Sequence, residues 1–166
     1  MTEQATIIKL AQGTTDALNG PFQSEGHAPA GAATFNARRR SRAPRYTLEE
    51  LKDGIKVDVM PRRLDTAEQA TTRDNSYDDT FNVSIGITSR IDFDPPDAND
   101  AADVLHLLAE KIIRYFRGGE LPGVDGIPCI AASQQVPFDP QKADREDIFF
   151  TVIVLSFQRI SSDMDE

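Results

Sequence analysis

Five arginines, Arg38, Arg39, Arg40, Arg42 and Arg45, fall within eight consecutive positions. A guanidinium presents a planar fork of donors that fits carboxylates and phosphates two bonds at a time, so the chemistry open to this segment is the docking of an anionic partner. The remainder of the chain is acidic, with 27 Asp and Glu against 18 Lys and Arg and a formal charge of −9. That balance argues against a surface built to grip nucleic acid and makes a carboxylate-bearing partner the natural complement. A plainer reading is an exposed strand edge on which charge blocks unwanted pairing. A second polar stretch, Arg62 to Asp79, carries Asp65, Glu68, Arg73 and Asp74 and is longer than most connections inside a compact domain. These nine charged residues form the candidate assembly interface.

Other reactive side chains stand alone. His27 and His106 have no second His or Cys at ligand spacing, so each reads as a solvated or packed histidine. Cys129, the single cysteine, sits between Pro128 and Ile130 in a strand-like stretch without a histidine base, which suits a small core residue. The acids from Asp92 to Asp103 imitate a calcium loop but place proline fifth, lack the sixth-position glycine and end on Asp103 where glutamate belongs; helix capping explains them better. Gly118, Gly119, Gly123 and Gly126 precede no Gly-Lys-Ser/Thr ending and read as turns. No catalytic, cofactor or metal site is expected. A hydrolase using scattered acids such as Asp92 and Asp94, and a ligand-binding domain with a deep apolar pocket, are the readings from other classes.

Hydrophobic residues make up 39% of the 166 positions, enough for one domain spanning 1–166 without staples, since a chain of this size buries roughly two-thirds of its unfolded surface. No apolar run reaches the roughly 20 residues that span a bilayer, and Met1-Thr-Glu-Gln-Ala lacks the regions of a secretory signal. A soluble protein in a reducing compartment is expected.

Apolar spacing predicts an N-terminal helix over about Thr6 to Leu18, stopped by Asn19-Gly20-Pro21. Residues 20–33, rich in Gly and Pro, read as a mobile loop, as do 62–79. Strand-like Phe35 opens the arginine segment, and Thr47 with Glu50 makes a capping box for a short helix ended by Gly54. Ile55, Val57 and Val59 alternate in a strand that Pro61 terminates, and Phe81, Val83, Ile85 and Ile87 alternate in the clearest strand of the chain. A long helix runs from Asp97 or Asp100 to Phe116 on a stripe of Ala101, Val104, Leu105, Leu108, Ile112 and Phe116. Ile127 to Val136 is a short strand of uncertain pairing; Ile148 to Ile160 is almost wholly apolar and reads as a central strand covered on both sides, before a short polar tail. The expected fold is α+β: a roughly four-stranded, mainly antiparallel sheet packed by the long helix and the N-terminal helix.

In order, Thr47-Leu-Glu-Glu-Leu, Ile55-Lys-Val-Asp-Val-Met-Pro61, a polar loop, Tyr77 to Ile87, an apolar helix ending Tyr115-Phe-Arg-Gly-Gly-Glu-Leu, and the strand Phe149 to Arg159 resemble the phage tail terminator and tail completion proteins, including the lambda-type minor tail protein U group. The similarity spans about Thr34 to Ile160. The resemblance implies a virion protein made in the host cytoplasm and a homo-hexameric ring in the tail neck. Such a ring binds the last ring of the major tail tube protein, stops tube growth and meets the head-side connector or stopper, with DNA passing through the lumen unbound. It implies no reaction, cofactor or membrane. Another neck protein, such as a head-completion or stopper subunit, would share this ring geometry.

Overall fold

The computed structural model describes residues 3–32, 34–68, 76–91, 98–136 and 147–162. The fold is α+β. Five strands, β1 Asn36–Arg39, β2 Lys56–Glu68, β3 Ser76–Arg90, β4 Cys129–Val136 and β5 Ile148–Ser162, form one mixed sheet in the order β1-β2-β3-β5-β4. This corrects the expectation of roughly four strands. β1 runs parallel to β2, and the other three pairings are antiparallel.

The register aligns every second residue into one apolar face. Val57, Val59, Phe81, Val83, Ile85, Ile87, Ile153, Leu155 and Phe157 are all nearly inaccessible and belong to one core with both helices. Helix α1, Thr6–Asn19, lies over β1, β2 and β3; helix α3, Ala98–Phe116, lies over β4 and β5. Leu10 and Leu18 come from α1, and Leu108 and Ile112 from α3, all fully buried. Each such side chain contributes about 1.5–3 kcal/mol. The α3 stripe is as expected except at its start, where Ala102 is buried and Ala101 exposed. Thr14 and Thr15, buried within α1, donate their hydroxyls to the carbonyls of Leu10 and Ala11, which satisfies groups that would otherwise cost about 1–3 kcal/mol each. Gly118, at φ 77°, ends α3 in the left-handed conformation, and its N–H donates to the Cys129 carbonyl.

Three local expectations are corrected. Residues 20–32 are not all loop: Pro21–Ser24 form a short helix, α2, and Ala30–Ala32 a 3-10 turn. Phe22 supplies the reason, because it is completely buried between Phe35 and Tyr115, at ring centroids 6.1 and 5.4 Å away. Pro61 does not terminate β2. Val59 turns its carbonyl toward β1, where it accepts from the Arg40 N–H, so by alternation Pro61 faces that same side, beyond the end of β1, and the ladder with β3 loses no donor. The register shifts between Pro61 and Arg63 instead. Finally, β5 is central but is covered on one face: Phe150 is 42% exposed and Val152 and Val154 are half-buried, with no described helix above them.

Part of that second face near β2 and β3 is covered by the connection from β1 to β2. It carries a 3-10 helix, Glu50–Asp53, that packs against β3 and buries Leu51 outside the main core. The Thr47 hydroxyl accepts from the Glu50 N–H at 3.2 Å, one half of the expected capping box, and Gly54 at φ 119° ends the turn. Among the described residues, no helix is long and apolar enough to cross a membrane.

Candidate assembly surface

The arginine segment starts inside β1 and leaves the sheet where β1 stops. Two side-chain amides hold its base. Asn19, at the end of α1, donates to the Ala37 carbonyl at 2.9 Å and accepts from the Ala37 N–H at 2.7 Å; Gln23 of α2 donates to the carbonyls of Phe35 and Leu18. The outward backbone groups of β1 are thereby occupied up to Ala37, and the edge is closed to another strand there.

Arg40 behaves unlike its neighbours. Its Nε lies 3.2 Å from Asp58 Oδ1, and the Tyr46 hydroxyl lies 2.9 and 2.8 Å from the two oxygens of the same carboxylate. Asp58 is 2% exposed, under the connection that crosses this face. A buried carboxylate needs such partners, since an unpaired charge there would cost several kcal/mol. The Arg40 pKa is raised, foremost by its hydrogen bond to Asp58. That of Tyr46 is raised first by burial and then by its bond to Asp58. The triad ties both ends of the 40–46 segment to β2 and bounds an open cleft of about 330 Å³ lined also by Arg38, Asp53 and Lys56.

Arg38, Arg39, Arg42 and Arg45 are exposed, and among the described residues no carboxylate lies within ion-pair reach of any of them. Arg39 is steadied by Gln12 of α1, whose Oε1 accepts from its Nε at 3.2 Å. The cluster therefore splits into one internal anchor and four outward cations.

The second candidate stretch is largely strand. Arg62 to Glu68 continue β2 and Ser76 to Asp79 begin β3, paired as far as Glu68 with Tyr77. Asp65 is on β2, half-buried and paired at 2.7 Å with Arg63, so it lies apart from the arginine segment. Glu68 is in β2; Arg73 and Asp74 lie outside the described residues. Arg62 reaches Gln135 of β4 across the uncovered face, beside a hydrogen bond from Ser156 to Asn82 at 2.8 Å.

The remaining reactive groups are placed as follows. His27 lies 3.2 Å from Glu25 and 5.0 Å from the Tyr115 ring. His106 meets the Phe149 ring edge-on at 5.1 Å. Cys129 is 1% exposed and burial pushes its thiol up to about 11, the opposite of what a nucleophile needs. Asp92 and Asp94 lie outside the described residues. Among the described residues, no three His, Cys, Asp or Glu are grouped to hold a metal ion.

Sequence reasoning missed Asn19, Gln23, Tyr46 and Asp58. Asp58 occupies a polar position in an alternating strand, where solvent exposure is the ordinary inference. Only the crossing of the 40–55 connection buries it. No protein-family model matches this chain, and no curated protein matches it in sequence.

Proposed function

We propose that this chain is a structural virion protein, a subunit of a hexameric ring at the head-proximal end of a long phage tail. The ring ends polymerisation of the tube and joins the tail to the head connector. The observation that carries the reading is the division of the arginine cluster. Four cations are held outward on an anchored edge, and among the described residues no carboxylate lies within ion-pair reach of them. Held in that way, they suit a docking contact between acidic subunits better than a reaction. The order of the segments that resemble tail terminators, running from the short helix after Thr47 through β2, β3 and α3 to β5, gives the contact its biological setting.

The role needs no cofactor and no chemical step. A subunit with two different contact surfaces closes into a ring when the rotation between neighbours is an exact fraction of a turn. The test is to image the purified protein alone and mixed with its tail tubes. Sixfold rings seated on one end of each tube are the expected result. A protein that ignores tubes, or that decorates them along their length, overturns the reading.

A further inference from the structure

The sheet has two long edges of opposite character. On the β1 side the outward groups of Phe35 and Ala37 are taken by Gln23 and Asn19. On the far side β4 pairs with β5 alone; beyond Cys129, whose N–H and carbonyl bond to Gly119 and Gly118, no described residue pairs with its outer edge. Natural edge strands are blunted by lysine, proline or inward charge. The β4 sequence Ile130-Ala-Ala-Ser-Gln-Gln-Val136 has none of these, and Ile130 and Val136 are 50% and 42% exposed. It is a neutral edge, irregular only where its register with β5 shifts at Cys129/Ala131 and at Gln134/Val136.

A second open stretch occurs on the opposite side of the same sheet. β1 accompanies β2 only as far as Val59, so the outer edge of β2 from Arg62 to Glu68 has no described neighbour. It matches the open part of β4 in length to within a residue or two. β2 and β4 run in opposite directions in the sheet, so a second copy in the same orientation sets its open β2 antiparallel to β4. The turn that leads into β4 exposes Arg117, Glu120 and Asp125, charges of both signs.

We propose that the outer edge of β4 is a strand-addition site for a second copy of this chain, which presents its open stretch of β2. Backbone bonds between the two edges continue the sheet from one copy to the next. The contact is head-to-tail, using different surfaces on the two partners, and it rests on the ring reading above for its biological purpose only.

The experiment uses two full-length variants. In one, Ile130→Lys with Ala131→Lys blocks the β4 edge; in the other, Leu64→Lys with Thr66→Lys blocks the β2 edge. Masses in solution are read by light scattering, with circular dichroism as the check on folding and Leu107→Lys, exposed on α3, as the control. The wild type and the control are expected to assemble. Each edge variant alone is expected to be monomeric, and an equimolar mixture of the two to form dimers, because each supplies the edge the other lacks. A wild type that stays monomeric overturns the proposal. So does a β4 variant that assembles like wild type, or a β2 variant that still dimerises, which would mean β4 pairing with β4. If rings still cap tubes with the β4 edge blocked, this contact is wrong and the ring reading stands. If the variants behave as expected but wild-type assemblies ignore tubes, the contact stands and the ring reading falls.

Discussion

The Asn19 side chain makes against Ala37 the pair of bonds that one more strand would have made, donating from Nδ2 to the carbonyl and accepting at Oδ1 from the N–H. One residue at the end of a helix thus fixes where the edge strand lies and closes it.

Asn19→Ala is expected to remove both bonds and leave a part-buried donor and acceptor unpaired, at a cost of about 1–3 kcal/mol. Urea unfolding measures the loss. A midpoint unchanged from wild type would show that Ala37 finds water in place of the amide.

The Asp58 triad gives a sharper test. Asp58→Ala leaves Arg40 and Tyr46 facing an apolar methyl, and loss of one partner from a buried pair costs about 3–5 kcal/mol. Asp58→Asn retains one carbonyl oxygen, whose two lone pairs can accept from Arg40 and Tyr46, and is expected to cost less. Equal losses in the two variants would mean that the charge both remove carries the stability and that the retained volume and acceptor add nothing.

Alkaline pH separates Tyr46 from the rest. Its folded-state pKa lies above the ordinary 10.0, so the fold favours the neutral phenol. That stabilisation is present in full below pH 10 and drains away as pH rises through the raised value. Stability measured from about pH 9 to about pH 11 is expected to fall more steeply in wild type than in Tyr46→Phe. The comparison cancels Cys129, whose raised pKa adds a fall of the same sign in both proteins. Parallel curves would contradict the role given to Tyr46.

Much of the scaffold was legible because it depends on period. The alternation from Phe81 to Ile87 marked β3, and all four of its apolar side chains are buried; the apolar stripe to Phe116 marked α3. Features set by distant partners were not legible. Nothing in Asn36 to Arg39 states that β1 runs parallel to β2, and Pro61 reads as a stop unless its edge position is known. The arginine segment was visible as a cluster, but its division into anchor and cations depends on Asp58, 18 residues beyond Arg40.

Phe22 tests the reassigned segment. Phe22→Ala removes a completely buried ring and is expected to cost about 3–5 kcal/mol, as such truncations do in well-packed cores. A loss under about 1 kcal/mol, the level typical of surface substitutions, would show that Phe22 does not hold this segment to the core.

The outward arginines should matter to assembly and not to folding. Arg39→Glu with Arg42→Glu is expected to change the stability of the isolated chain by less than about 1 kcal/mol, because both side chains are exposed. The same pair is expected to abolish ring formation and tube capping. Assembly of the unaltered protein should weaken as salt screens the contact. Rings that form normally from the double variant, at low and at physiological ionic strength, would remove these residues from the interface.

The position of β5 has a consequence for how the chain reaches this state. It lies between β3 and β4, aligned with β3 from Ser76 opposite Ser162 to Arg90 opposite Ile148. On the ribosome it emerges after both neighbours, so one hydrogen-bonding edge of β3 waits for more than fifty residues before its partner arrives. Closure over so long a stretch makes slow, cooperative acquisition of the sheet the expected kinetics. Until then each nascent chain carries unpaired strands that neighbouring chains could capture, and a holding chaperone would find its substrate there.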